Sequence, residues 1–194
     1  MKMKVSMPIS LYTDGSSLRN PGASGLGYII HYWVDPDKDG GMPREEEIEG
    51  SQGFRLSTNN RMEMMAAIYG LGIIIEKVET GEWTDVTQIN LNSDSEYLCK
   101  SISQNWIARW LQNNWMTSGF GGKKPKVVKN KDLWEKIIGI QDKLRELGIN
   151  LVVAHVMGHS GDERNERADK LAVAASNDTS HHIIDEFYEK GVDR

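Results

Sequence analysis

The sequence predicts an α/β fold of mixed α+β character. The expected core is a five-stranded mixed sheet, its first three strands an antiparallel meander, with helices on both faces. Three observations predict it. Runs rich in β-forming residues open the chain, separated by glycine-bearing or polar turns. Helical and extended periods then alternate up to about residue 175. Hydrophobic residues fill 39% of 194 positions, enough for one core and one domain.

Ile9–Asp14 (ISLYTD) is a strand stopped by Gly15. Gly25–Val34 is the second strand. Asp35–Glu49 carries seven acids against two bases and is expected to be a long solvated loop. Gln52–Leu56 is the returning strand of that hairpin. Asn60–Val78 places Met62, Met65, Ala66, Tyr69 and Ile73 at helical spacing, a stripe read as core. Gln88–Ser93 is a strand with Ile89 and Leu91 on one face. Asp94–Ser103 starts a helix with an acidic first turn. Trp106–Trp115 is a further helix that runs into SGFGG. Asp132–Leu147 is a helix closed by Gly148. Asn150–Val156 is a strand. Asp162–Ala175 is the last helix, with Arg164 and Arg167 among its exposed positions. The domain is expected to span 1–176, leaving 177–194 as an acidic, flexible tail.

The net charge of −5 argues against coating nucleic acid by bulk charge alone, but not against acidic residues that hold metal ions. Cys99 is the only cysteine, so no internal disulfide forms, which suits a reducing compartment. The start has no signal-peptide pattern, and the longest apolar stretch, Leu71–Ile75, is too short to span a membrane. A cytoplasmic protein acting as a monomer without membrane contact is expected. There is no GxxxxGK[ST] and hence no expected nucleotide cofactor; without CxxC or HExxH, zinc chemistry is unsupported.

Four carboxylates draw notice together. Asp14 ends the first strand, Glu63 lies in the first turn of the first long helix, Asp94 follows a strand, and Asp169 lies in the last helix. Each has an ordinary reading alone: Asp14 as a turn opener, Glu63 and Asp94 as helix-dipole partners, Asp169 as a surface residue. Jointly, they stand at strand ends and helix faces that can converge on one sheet edge. Converging carboxylates repel unless cations neutralise them. Hard oxygen ligands suit Mg2+ or Mn2+. Two such ions about 4 Å apart clamp a phosphodiester.

Five blocks in order then resemble type 1 ribonuclease H: YTDGSS at Tyr12–Ser17 with NPG at Asn20–Gly22, TNNRMEMMAA at Thr58–Ala67, NSDSEYL at Asn92–Leu98, KKPKVVKNKDLW at Lys123–Trp134, and GHSGDERNERADKLA at Gly158–Ala172. The resemblance implies an endonuclease that hydrolyses the RNA strand of RNA/DNA hybrids, leaving 3′-OH and 5′-phosphate ends. It implies two Mg2+ ions, with Mn2+ a possible substitute, held by Asp14, Glu63, Asp94 and Asp169, with Asp14 bridging. His159 would help protonate or release product, and Glu166 matches a glutamate near the second metal. Gly15, Ser16, Asn20, Asn59 and Asn60 would meet the hybrid's minor groove, where the 2′-OH distinguishes RNA. Thr58 and Asn130 resemble part of a pocket for a DNA-strand phosphate. Trp106 and Trp110 belong to a segment like the family's basic protrusion.

The chain departs from the pattern in places. Leu56 stands where an arginine often completes the phosphate pocket, and Arg55 would point to the other strand face. Leu111, Gln112, Asn113 and Met116 replace frequent lysines or arginines, although Arg109–Lys136 still holds seven bases against two acids. Glu96 replaces a frequent glutamine. The alternatives are a related nuclease or resolvase of the same fold, which the TNN and GHSG blocks disfavour, and a catalytically inactive hybrid-binding module, which the filled acidic quartet disfavours. No separate hybrid-binding domain is expected before the first strand. His155 is expected to be structural.

Overall fold

The strands, in chain order, are Met3–Lys4 (β1), Ile9–Ser17 (β2), Gly22–Val34 (β3), Arg44–Ser57 (β4), Trp83–Thr84 (β5), Gln88–Ser93 (β6) and Asn150–His155 (β7). The helices are Asn59–Glu79 (α1), Glu96–Ser103 (α2), Trp106–Gln112 (α3), Lys131–Glu146 (α4), Glu163–Asn177 (α5) and Glu186–Glu189 (α6), with a 3-10 turn at Thr179–His181. They come from a computed structural model that describes residues 2–5, 7–36, 41–119, 124–158 and 161–191. The main sheet has the order β4-β3-β2-β6-β7. The β2–β3 and β3–β4 pairs are antiparallel, and β6 and β7 join in parallel. This is the five-stranded mixed sheet with an opening meander that the sequence predicts. Among the described residues no helix is long and apolar enough to cross a membrane.

Alternation along β2 decides what each face carries. Leu11 faces α1, where a Cβ at Gly70 would come within 2.5 Å of Leu11 Cδ1. Asp14 lies three residues on, so it faces the other way. Its β3 partner is Gly27, against which α5 is laid. Helices therefore cover both faces. On the α1 side, Leu11, Ile89, Leu91, Met62, Ala66, Ile74, Leu133, Trp134 and Ile137 are buried in one core. Each large apolar side chain removed from water there stabilises the fold by about 1.5–3 kcal/mol.

Three stretches differ from the sequence reading. Much of the expected acidic loop is strand: β4 starts at Arg44, and Glu45, Glu47 and Glu49 pair with Trp33, His31 and Ile29 of β3. Acids in alternation are tolerated there because Arg164 and Arg167, expected to be exposed, are half-buried against them. The described part of the expected flexible tail is docked. Ile183 bridges Phe54, and its N–H donates to Gly53 O at 3.0 Å. Asp185 and Tyr188 are buried. The pair β1–β5 was not expected at all; two residues per strand give no readable period. Smaller shifts are local. The β2 strand continues through Gly15 to Ser17, paired to β3, so Gly15 does not stop it. The α3 helix ends at Gln112 because Asn114 and Trp115 adopt left-handed φ values of 49° and 59°.

Candidate active site

The parallel ladder between β2 and β6 ends at the pair Thr13–Ser93. Asp14 and Asp94 are thus the next residues on two adjacent parallel strands. Carboxyl ends of parallel strands are where such sheets present ligands. Asp94 is not in a helix: α2 begins at Glu96, capped by Ser95, whose hydroxyl accepts from Leu98 N–H. Asp94 is therefore free of a helix role. Its backbone carbonyl lies 3.0 Å from Nε2 of the exposed His155.

Glu63 reaches the same place from α1. It sits on the fifth helical residue rather than in the first turn, so the helix dipole does not explain it. Gly15 lets the helix come this close. A Cβ at Gly15 would stand 2.5 Å from Glu63 N and 2.8 Å from Met62 Cβ. Any side chain there would push α1, and Glu63 with it, off the strand.

One carboxylate oxygen from each of Asp14, Glu63 and Asp94 lies within 4.8 Å of the others. Asp14 and Glu63 are buried and Asp94 is half-buried. Burial first, then repulsion from Asp94 and, further down, Asp169, raises the Asp14 carboxyl to about 7. Burial, followed by the charges of Asp14 and Asp94, holds Glu63 well above the usual carboxylate range. Glu63 Oε2 is buried with no hydrogen-bond partner. Carboxylates crowded this way, with an oxygen left unsatisfied, are what a hard divalent cation would complete. Asp169 is not within that trio. It is half-buried on α5, close enough for its charge to raise Asp14.

The other expected site residues divide. Asn59 Nδ2 donates to Glu63 Oε1 at 3.2 Å, and Asn59 N–H donates to Asn20 Oδ1 at 3.1 Å. These amides brace Glu63 and join the two loops. Asn20, Thr58, Asn60 and Asn130 line one cavity of about 610 Å3 with Leu56, Lys129 and Tyr188. Asn130 holds a left-handed φ of 59° just before α4. Leu56 lies in that wall, as its sequence position implied. Ser16 faces the other side of the sheet, its hydroxyl 3.4 Å from that of Ser176 on α5. Trp106 and Trp110 meet edge to face with ring centres 6.2 Å apart, and Trp110 lies tilted against Trp134 at 5.4 Å. They also line a surface cavity with Arg109 and Asn113. Glu96 is exposed and pairs with Lys100. His159 lies outside the described residues; its neighbour Gly158 packs on Asp94, where a Cβ would meet Oδ2 at 2.7 Å.

Sequence reasoning missed the support beneath α1. Arg61 is fully buried. It forks over Asp132 at 2.9 and 2.8 Å and over Asp185 at 2.7 and 2.9 Å. Ser57 Oγ donates to Asp185 at 2.7 Å. The readable signal was a lone arginine next to Met62 on an otherwise apolar face; its two partners lie too far along the chain to be matched by spacing.

A family model described as RNase H matches residues 7–177. A ribonuclease H of Idiomarina loihiensis is 38% identical over 170 residues, 88% of each chain. The structure of LC9-RNase H1, a type 1 RNase H with the type 2 active-site motif, superposes with a TM-score of 0.66 at 23% identity, over 97% of this chain and 82% of that one. LC11-RNase H1, solved in complex with an RNA/DNA hybrid, gives 0.53 at 25% identity, over 86% and 95%. With nearly the whole chain matched, and with the carboxylates at the ends of the parallel strands, this protein belongs to the ribonuclease H family.

Proposed function

We propose that this ribonuclease H hydrolyses the RNA strand of RNA/DNA hybrids, leaving 3′-OH and 5′-phosphate ends. The observation that carries the reading is the convergence of Asp14, Glu63 and Asp94 within 4.8 Å around an unsatisfied buried oxygen. Asp14, Glu63, Asp94 and Asp169 would hold two Mg2+ ions, with Mn2+ as a substitute. Bound there, the ions would supply the Lewis acidity that activates water and stabilises the leaving oxygen. The protein's own part is placement. Gly15 seats α1 so that Glu63 meets Asp14, and Asn59 fixes the Glu63 carboxylate. Asn20, Thr58, Asn60 and Asn130 present amide and hydroxyl groups along the strand of the hybrid they meet. Such groups bond sugars, phosphates and base edges without demanding one sequence. His159 is assigned proton transfer to the product. Trp106 and Trp110 offer faces on which the duplex backbone rests. LC11-RNase H1 in its hybrid complex supports the substrate assignment. The chain is read as a cytoplasmic monomer; Cys99, buried and alone, suits a reducing compartment.

The test is cleavage of end-labelled RNA/DNA hybrid, duplex RNA and duplex DNA, each with Mg2+, Mn2+ or EDTA. Cutting confined to the hybrid's RNA strand, dependent on metal and lost in Asp14→Asn, is expected. Cutting of DNA duplexes instead, or no cutting by the folded chain with either metal, would sink the reading.

A further inference from the structure

We infer that Glu47, flanked by Glu45 and Glu49, is a positioning residue that fixes α5 and so holds Asp169 at its distance from Asp14. The inference rests on the metal-site reading above. It starts from how α5 is seated. A Cβ at Gly25 would come 2.3 Å from Ala172 O, and one at Gly27 would come 2.3 Å from Ala168 O. The helix backbone therefore lies directly on the β3 backbone. Close approach of this kind forgoes the side-chain ridges that normally fix how one element sits on another. Contacts on the flank of the helix, away from this seat, add to what holds its roll about the axis.

The acidic strand supplies such contacts. Glu45, Glu47 and Glu49 alternate along β4 and share one face. Arg164 and Arg167 stand three residues apart, one above the other on α5. Glu47 sits between them, with Oε1 2.7 Å from Arg164 Nε and Oε2 2.6 Å from Arg167 Nη1. Arg167 Nη2 donates to Glu49 at 2.8 Å, and Arg164 pairs with Glu45. The Glu47 carboxylate is held below the usual range, because the two arginines outweigh the cost of its burial. Two guanidinium forks engaged by three carboxylates define an orientation, which a single flexible ion pair does not.

Asp169 follows Arg167 by two residues, about 200° around the helix. The arginines thus grip one flank of α5 while Asp169 occupies the other. A roll of about 10° displaces a group about 6 Å from the axis by about 1 Å. An error of about 1 Å in such a site costs about 100-fold. The acidic cluster itself pushes in the wrong direction: Asp169 and Asp14 carry charge of the same sign. The clamp opposes that repulsion before any cation arrives.

The test is a calorimetric Mg2+ isotherm of the full chain, free of nucleic acid, for the parent and for Glu47→Ala, alongside melting temperature, KM for hybrid and the Mg2+ needed for half-maximal cleavage. Glu47→Ala is expected to weaken Mg2+ binding about 10-fold, the lower end of what loss of an outer support costs. Half-maximal Mg2+ should rise in parallel, with KM for hybrid at saturating Mg2+ unchanged. A lower melting temperature with an unchanged isotherm would reduce the clamp to a structural contact and overturn the proposal. A raised KM with an unchanged isotherm would also overturn it, placing these residues at the substrate instead. Should Glu47→Ala not fold, Glu49→Gln, which loosens one ion pair, is expected to weaken Mg2+ about 2-fold, and an unchanged value overturns the proposal. The isotherm needs no cleavage, so a failure of the assigned activity is read separately in the hybrid assay.

Discussion

At the scale of residues, the carboxylate trio is a stability problem that a bound cation would resolve. Asp14 rises from an ordinary 3.8 to about 7 in the folded chain, through burial and then the neighbouring acids. A folded value above the unfolded one means the native state binds the proton more tightly. The stabilisation is complete below about pH 4 and is lost as pH climbs toward 7. In EDTA the chain should therefore weaken across that window, and saturating Mg2+ should restore what is lost above it. Asp14→Asn removes the charge while keeping the shape. It is expected to unfold about 2 kcal/mol later than the parent in EDTA at pH 8, and to match it near pH 4. Urea denaturation at the two pH values measures this, and equal stabilities at pH 8 would refute it.

At the scale of elements, the first turns of α1 hang on Arg61. Its buried guanidinium is forked by Asp132 and Asp185 and lies over the Phe187 ring. Removing one partner leaves a buried charge half-compensated, so Asp185→Ala should cost about 3–5 kcal/mol. Chemical denaturation gives the number; a loss under 1 kcal/mol would mean the segment after α5 is dispensable. This segment also marks where sequence reading stopped. The strands Gln88–Ser93 and Asn150–His155 and the helices α1, α4 and α5 were legible, because apolar period and caps are local. Asp14 and Asp94 were legible as acids that follow β-forming runs. The strand at Glu45–Glu49 was not, since EEEIE reads as solvated until Arg164 and Arg167, well over 100 positions away, are brought to it. Glu63 was found, but its placement on the second turn, and the need for Gly15 beneath it, depend on a close approach that spacing does not encode.

At the scale of the molecule, an acidic protein must bring a polyanion to an acidic site. Its net charge is −5, yet 109–136 carries seven bases against two acids. Lys124, Lys126 and Lys129 are exposed there, and none forms an ion pair with a described residue. Replacing all three with alanine should raise KM for hybrid about 10-fold or more at low salt and leave kcat nearly intact. The salt dependence of KM should flatten by about one logarithmic unit of slope per lysine. An unchanged slope would move the binding surface elsewhere.

The bond between Arg61 and Asp185 spans 124 positions. During synthesis, everything up to α5 leaves the ribosome before Asp185 does, and closing so long a loop is slow. Until then Arg61 lacks the Asp185 counter-charge, and the helix bearing Glu63 stands on an unfinished footing. The helix that carries Glu63 thus gains its Asp185 anchor only after nearly all of the chain has emerged. Limited proteolysis of ribosome-bound chains halted just before Asp185 and well beyond it should cut α1 in the first and spare it in the second.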